Sequence, residues 1–418
     1  MEYKRITKDN IVYHLINTNR FKEISIVMFL TKEFDKNDIP FFSLLINNLT
    51  YSSKKYNTKD LIASTSEDLY GLSLTSSFNF TGKCETLSFT LDFLNPKYTS
   101  VEYMDMSLDY FKEIVLNPNV KDGKFNKKYF DIIKNDIISS INSLQDNPSK
   151  YASINYAKIM YNNTPTAYTT IPNIEDLDKV NEKNLYSFYK ELFNNKCNID
   201  ICVLGEIDES IIDKLHSRFK NIKSIRKDIK FSIDYKYDNK LHEKIDSLKF
   251  NQSKLYMGYR IKDANYHELM HVSRVYNTIL GTMNDSILFN IVREENSLCY
   301  TIGSYINRFN PSLTIYAGIN KDNYEKTIEL IKKCVNDMGN KKVVERLFEY
   351  AKKTINTYLN NYYDDLVSQI NNYYVGEYEY QEDIETLREN INSVTIDEVI
   401  NFNNKISLST IYMLKGDN

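Results

Sequence analysis

The sequence predicts an α+β chain of two similar domains in tandem, each a mainly antiparallel sheet with helices packed on it. Three observations predict it. A motif recurs near half the chain length, strand-like and helix-periodic segments alternate in both halves, and each copy of the motif runs into an apolar strand closed by glycine. Val180 pairs with Val394, Leu185 with Val399 and Phe188 with Phe402, each pair 214 residues apart. The flanking stretches are "IEDLDKVNEKNLYSFY" and "INSVTIDEVINFNN", followed by "IDICVLG" at Gly205 and "STIYMLKG" at Gly416. A period near half the chain is the mark of duplicated domains. The expected division is 1–221, a charged and poorly periodic join at 222–244, and 245–418.

The elements follow in order. "NIVYHLINT" and "ISIVMFLTK" are β-rich runs separated by polar residues. "FFSLLINNLT" and "KDLIASTSEDLYG" read as short helices ending in loops. A hairpin follows: Leu72, Leu74, Phe78 and Phe80 alternate with polar residues, with an expected slip near Ser76 and Ser77. Gly82 makes the turn, and Leu87, Phe89, Leu91 and Phe93 alternate on the way back. Val101–Leu116, Phe125–Leu144 and Ser149–Met160 have helical periodicity, punctuated by Asp146-Asn147-Pro148. After the join, "KLYMGYRI" opens a second strand-rich unit.

Bulk properties narrow the function. The chain has 418 residues, too many for one ordinary core, and a net charge of -3 with no basic block, so nucleic acid is not an expected partner. No apolar run reaches membrane-spanning length and no signal peptide opens the chain; a soluble cytoplasmic protein with no membrane partner is expected. The five cysteines, Cys84, Cys197, Cys202, Cys299 and Cys334, lack metal-ligand spacing and read as reduced core thiols.

One stretch carries a catalytic pattern. His267, Glu268 and His271 form H-E-x-x-H, in which two histidines one helical turn apart hold zinc and the glutamate activates water. Glu294 and Glu295, carried back by a helix over 284–293, would supply a third ligand. A structural reading competes and is preferred. Asn265 caps the helix and Glu268, three residues on, completes a capping box. Leu269, Val272, Val275, Tyr276, Ile279 and Leu280 gather on one face at about 100° per residue, which puts His267 and His271 on a solvated face with Arg274 and Thr278.

Directly after that helix, "NTILGTMNDSILFNIVREENSLCYTIGSY" resembles the pitrilysin/insulinase family of inverted zincins. The shared residues are Asn277, Leu280, Gly281, Ser286, Leu288, Phe289, Arg293, Glu294, Leu298 and Tyr300. By this resemblance, Arg293 would hydrogen-bond a substrate carbonyl and Tyr300 would stabilise the tetrahedral oxyanion. Both are suitable donors for charge that develops in the transition state. Taken alone, Arg293 reads as a surface ion pair with Glu294 or Glu295, and Tyr300 as one of 34 tyrosines in a core. The likeness extends over nearly the whole chain and includes "IEDLDKVNEKNLYSFYKELFNNKCNIDICVLGEID"; it implies two homologous domains facing each other as a clam shell.

The resemblance fails at the zinc site. The family motif H-x-x-E-H falls on Ser43, Leu44, Leu45, Ile46 and Asn47, before the loop "TYSSKKYN", and the third ligand falls near Asp136. No histidine lies between His14 and His216, so no shift of alignment restores the site. With "Asp68-Leu69-Tyr70-Gly71", the pattern is similar to the inactive member of bacterial two-gene peptidase pairs. It implies a subunit with no bound cofactor, paired with a zinc-bearing subunit (or with itself in its absence), acting on a peptide through Arg293 and Tyr300 in trans. In the family, the strand matching Leu72–Phe80 takes up extended substrate by edge addition. The alternatives are a self-sufficient zinc peptidase using His267, Glu268 and His271, and a non-enzymatic peptide-binding scaffold.

Overall fold

In the computed structural model, which describes residues 1–416, two sheets are built on one strand plan. The first holds β1 (Glu2–Lys8), β2 (Ile11–Asn17), β3 (Glu23–Glu33), β4 (Ser73–Thr81) and β5 (Cys84–Leu94). It is completed, past a small ribbon of β6 (Val120–Lys121) and β7 (Lys124–Phe125), by β8 (Asn198–Gly205), in the order β1-β2-β8-β3-β5-β4. The second holds β9 (His242–Leu248), β10 (Ser253–Ile261), β11 (Cys299–Asn307), β12 (Ser312–Ile319) and β13 (Ile406–Gly416), in the order β11-β12-β10-β13-β9. In each sheet the last strand of the repeat lies parallel to one neighbour, β2 or β9, and every other pairing is antiparallel. The two sheets therefore match strand for strand, apart from the extra edge strand β1.

The repeat seen in the sequence has a local cause. Asn181 and Thr395, 214 residues apart, are both N-caps that form reciprocal capping boxes, with Asn184 and Glu398 respectively. Val180 and Val394, just before the caps, are buried, as are Leu185, Phe188, Val399 and Phe402 on the helices. Each helix thus starts at a fixed point and delivers the chain to β8 or β13.

Chain contacts define two compact units that are discontinuous in sequence: 1–142 with 169–231 and 364–381, and 143–168 with 232–363 and 382–418. These differ from a contiguous division with a join at 222–244. Helix Leu366–Gly376 belongs to the first unit and helix Pro148–Met160 to the second, although each lies in the other half of the sequence.

Strand alternation explains where these two helices go. On β3, Ile24, Ile26, Met28 and Leu30 enter the first unit's main core. The opposite face carries Phe29 and Thr31, where the Tyr374 ring stacks on Phe29 at 3.8 Å and its hydroxyl hydrogen-bonds Thr31 at 2.7 Å and Thr86 at 2.9 Å. On β10, Leu255, Met257, Tyr259 and Ile261 enter the second unit's core. Its other face is covered by helix Pro148–Met160, with Tyr156 stacked on Tyr256 at 5.1 Å. Gly258 is small there because a Cβ would come within 2.4 Å of the Tyr156 hydroxyl.

The hairpin β4–β5 forms in continuous register, without the expected slip: Ser76 pairs with Phe89 and Ser77 with Ser88. Ser76 simply shares the inward face with Leu74 and Phe78, and its hydroxyl donates to the Ile46 carbonyl at 3.3 Å. All five cysteines are free and buried. Burial pushes the Cys84, Cys197 and Cys334 thiols up to about 12 and Cys299 to about 11, so none is a thiolate nucleophile near neutral pH. No described helix is long and apolar enough to cross a membrane.

Candidate functional site

Ser43, Ile46, Asn47 and Asp136, the four positions at which the resemblance leads one to expect a zinc set, are brought together. Helix Ile39–Tyr51, opened by Pro40, carries Ser43, Ile46 and Asn47; helix Lys127–Asn142 carries Asp136. All four line one pocket of about 420 Å³ in the first unit, with Tyr51, Phe78, Ile133 and Ile137 among its walls. The donors do not suit zinc. The Ser43 hydroxyl is held by the carbonyls of Ile39 at 2.9 Å and Thr170 at 2.8 Å. Asn47 donates its amide to the Ser43 carbonyl at 2.9 Å, and Ile46 offers no donor atom. A single carboxylate, Asp136, is left where a closed catalytic site needs three protein ligands. The pocket is a mainly apolar cavity with a polar rim.

Arg293 and Tyr300 flank a tight turn in the second unit. Arg293 lies in the last turn of the helix that ends at Glu295; Ser297 closes it by donating to the Arg293 carbonyl at 3.0 Å, with a left-handed φ of 52°. The Arg293 side chain is 42 % exposed, lies over the Phe289 ring at 4.6 Å and approaches Glu294 at 3.4 Å. The ion pair expected from sequence is therefore present, and being exposed it contributes little to stability. Tyr300 is not in a core. The register of β11 shifts between Cys299 and Thr301, and the ring of Tyr300 is left 76 % exposed. A bulge re-aims the side chains beside it, and here it leaves a phenol in solvent.

The H-E-x-x-H segment corrects one expectation and bears out another. The capping box forms: Asn265 N–H donates to Glu268 at 2.8 Å, and Glu268 N–H to Asn265 at 2.9 Å. The histidines do not share a solvated face. His271 is 2 % exposed and bonds Glu382 at 2.8 Å, while His267 is half-buried and bonds Glu398 at 3.0 Å. The reason is tertiary: Glu382 and helix Ile396–Asn403 pack over this face, which also carries a wide π-type turn over Glu268–Val272. Glu294 and Glu295 do not join them: among the described residues, the only group of three His, Cys, Asp or Glu donors close enough to share an ion is His14, Asp200 and Glu377.

That last cluster was missed in the sequence. Its signal was a polar residue inside each of two apolar strands, His14 in "IVYHLIN" and Asp200 in "NIDICVLG". Arg226 donates to Asp200 at 2.8 Å and also pairs with Glu377; Arg5 pairs with Glu377 at 2.7 Å; Tyr378 hydrogen-bonds Asp200. Two guanidinium groups already balance the two carboxylates, so the cluster is an ion-pair network that seats the segment after helix Leu366–Gly376. Burial opposes the charge of Glu377, but the hydrogen bond from Arg5 and the charges of Arg226 and Arg5 outweigh it and hold its pKa below the ordinary value.

The fold is a duplicated α+β plan, with Arg293 and Tyr300 beside one turn and a pocket whose side chains do not suit zinc; comparisons with known proteins place it beside M16 peptidase domains described as inactive. Residues 179–355 match the family model described as the peptidase M16 inactive domain, which bears out the pitrilysin/insulinase recognition. The chain is 25 % identical over 414 residues to the probable inactive metalloprotease YmfF of Bacillus subtilis, covering 96 % of this chain and 95 % of that one. It is 22 % identical, over 60 % of each chain, to the uncharacterized zinc protease YmxG of the same organism. A solved structure of a conserved protein from Enterococcus faecalis superposes with a TM-score of 0.91 at 22 % identity, over 99 % of both chains, and bears out the fold.

Proposed function

We propose that this chain is the subunit without the catalytic zinc in a heterodimeric M16-type peptidase, cytoplasmic, acting on peptides in company with a relative that carries that zinc. The observation that carries the reading is the contrast between two sites. Where the resemblance puts zinc ligands stand a serine bonded to the Ile39 and Thr170 carbonyls, an isoleucine with no donor atom and an asparagine bonded to the Ser43 carbonyl, whereas Tyr300 is 76 % exposed on a bulge beside Arg293. A phenol kept out of the core adds nothing to packing, and its donor is available to a substrate.

In this reading the partner supplies zinc, the attacking water and its base. Arg293 donates to a carbonyl of the extended peptide and holds it in register. The Tyr300 hydroxyl donates to the oxygen that becomes anionic as water adds, an interaction that strengthens in the transition state. The cysteine thiols of this chain are buried and Glu268 of the H-E-x-x-H segment is engaged in a helix cap, so neither serves as nucleophile or base in this reading.

The test is a peptidase assay on the purified chain alone and mixed with a zinc-bearing M16-type chain. The expected result is no hydrolysis by either chain alone and chelator-sensitive hydrolysis by the pair. Chelator-sensitive turnover by this chain alone would contradict the reading and favour a self-sufficient zinc peptidase.

A further inference from the structure

The pair His267 and His271 has a hydrogen-bond geometry that helix packing does not explain. Each ring turns its Nε2 to a carboxylate, His267 to Glu398 at 3.0 Å and His271 to Glu382 at 2.8 Å. With Nε2–H donating, each ring keeps its lone pair on Nδ1. Those two Nδ1 atoms face one another at 2.9 Å. Facing lone pairs repel, so the contact needs either a shared proton or a cation between them. A shared proton would put the charge on His267, which is 39 % exposed and beside Glu398; a cation would instead use the Nδ1 of both rings at once, each backed by its own carboxylate.

We propose that His267 and His271 form a binding site for a zinc-class divalent ion, ligated through Nδ1 of both rings and oriented by Glu398 and Glu382. A ligating histidine whose other nitrogen donates to a carboxylate is the usual way a protein fixes ring tautomer and direction. Imidazole donors select zinc, copper or nickel over magnesium or calcium. Zinc–nitrogen bonds of about 2.0–2.1 Å at tetrahedral angles set two ligand atoms roughly 3.3 Å apart, so the observed contact opens by a few tenths of an ångström. The His267 side chain is 39 % exposed, which leaves the outer side of the site open to water as the remaining ligands. The wide turn over Glu268–Val272 that brings the rings together is a backbone feature frequent at functional sites.

The ion would tie three parts of the second unit: the wide turn, Glu382, and helix Ile396–Asn403 through Glu398. Such an ion would have no catalytic role. Glu268, which would have to serve as base, caps the helix and pairs with Lys405 at 2.6 Å. This site is independent of the proposed peptidase role, and either stands without the other.

The experiment is zinc titration of chelator-treated full-length protein, with bound metal measured after gel filtration. The wild type is expected to take about one equivalent, consistent with a single site. His267→Ala, at the more exposed ring, is expected to abolish this while circular dichroism stays unchanged; His271→Ala, more deeply buried, is the confirming variant where it folds. Glu382→Gln is expected to weaken binding by about 10- to 100-fold, the usual effect of removing a carboxylate that orients a ligand. Excess magnesium should not compete. Less than about a tenth of an equivalent in wild type, or wild-type binding in His267→Ala, would overturn the site and leave a shared proton as the account of the contact.

Discussion

Replacing Tyr374 with phenylalanine tests how helix Leu366–Gly376 is held on the first unit's sheet. Tyr374 is 5 % exposed; its ring lies 3.8 Å from Phe29 and its hydroxyl bonds Thr31 at 2.7 Å and Thr86 at 2.9 Å. Phenylalanine keeps the stack and removes both hydrogen bonds. Each is worth about 0.5–1.5 kcal/mol net, so the variant should lose about 1–3 kcal/mol. The upper part of that range is expected because Thr31 is fully buried and Thr86 nearly so, and both hydroxyls lose a partner. Urea unfolding followed by circular dichroism measures the loss, with separate transitions fitted if the two units unfold apart. Tyr98→Phe, 52 % exposed, serves as the control and should stay within about 0.5 kcal/mol of wild type. A Tyr374→Phe variant indistinguishable from that control would mean that the helix is not anchored here.

Other perturbations follow from the same geometry. Gly82→Ala places a Cβ 1.6 Å from the Phe231 carbonyl oxygen at a φ of 56°, so the β4–β5 turn must move; a loss of about 1–3 kcal/mol is expected in thermal or urea melts. Glu377 has its pKa depressed below 4.5, so the stability it contributes is present above pH 4.5 and is lost as pH falls through the folded value. Glu377→Gln should flatten acid unfolding below pH 4.5, and an unchanged acid limb would refute the network's role. Rebuilding the pocket with Ser43→His, Ile46→Glu, Asn47→His and Asp136→Glu, in a His267→Ala background, should confer about one equivalent of zinc where that background alone has none. No uptake would mean that the pocket is not the remnant of a metal site.

The plan of the fold was legible because local chemistry agreed with it. Asn181 and Thr395 cap equivalent helices, and the apolar alternation of Leu87 to Phe93 dictates a strand buried on one side. That Ser43, Ile46, Asn47 and Asp136 share one pocket follows from helical spacing on Ile39–Tyr51 and from a second helix crossing it. Three features were not legible. The burial of His271 depends on Glu382, 111 residues away, which a helical projection of one segment does not anticipate. Helices Pro148–Met160 and Leu366–Gly376 had the right periodicity, but nothing local told which unit would claim them; that is settled by tertiary partners such as Phe29 and Tyr256. The His14–Asp200–Glu377 network joins residues that are far apart in sequence and individually unremarked.

The claim at the centre of this account is that Tyr300 acts on substrate in a partner's active site. The direct measurement is steady-state hydrolysis of a fluorogenic peptide by the reconstituted pair, comparing Tyr300→Phe with wild type. Because Tyr300 is 76 % exposed, the change should leave stability within about 0.5 kcal/mol, and its effect on rate is free of folding. The account predicts a fall in kcat of about 10²–10³-fold with little change in KM, the size expected for a lost oxyanion donor. Unchanged turnover would contradict it and leave the chain as a scaffold whose arginine and tyrosine take no part in the chemistry.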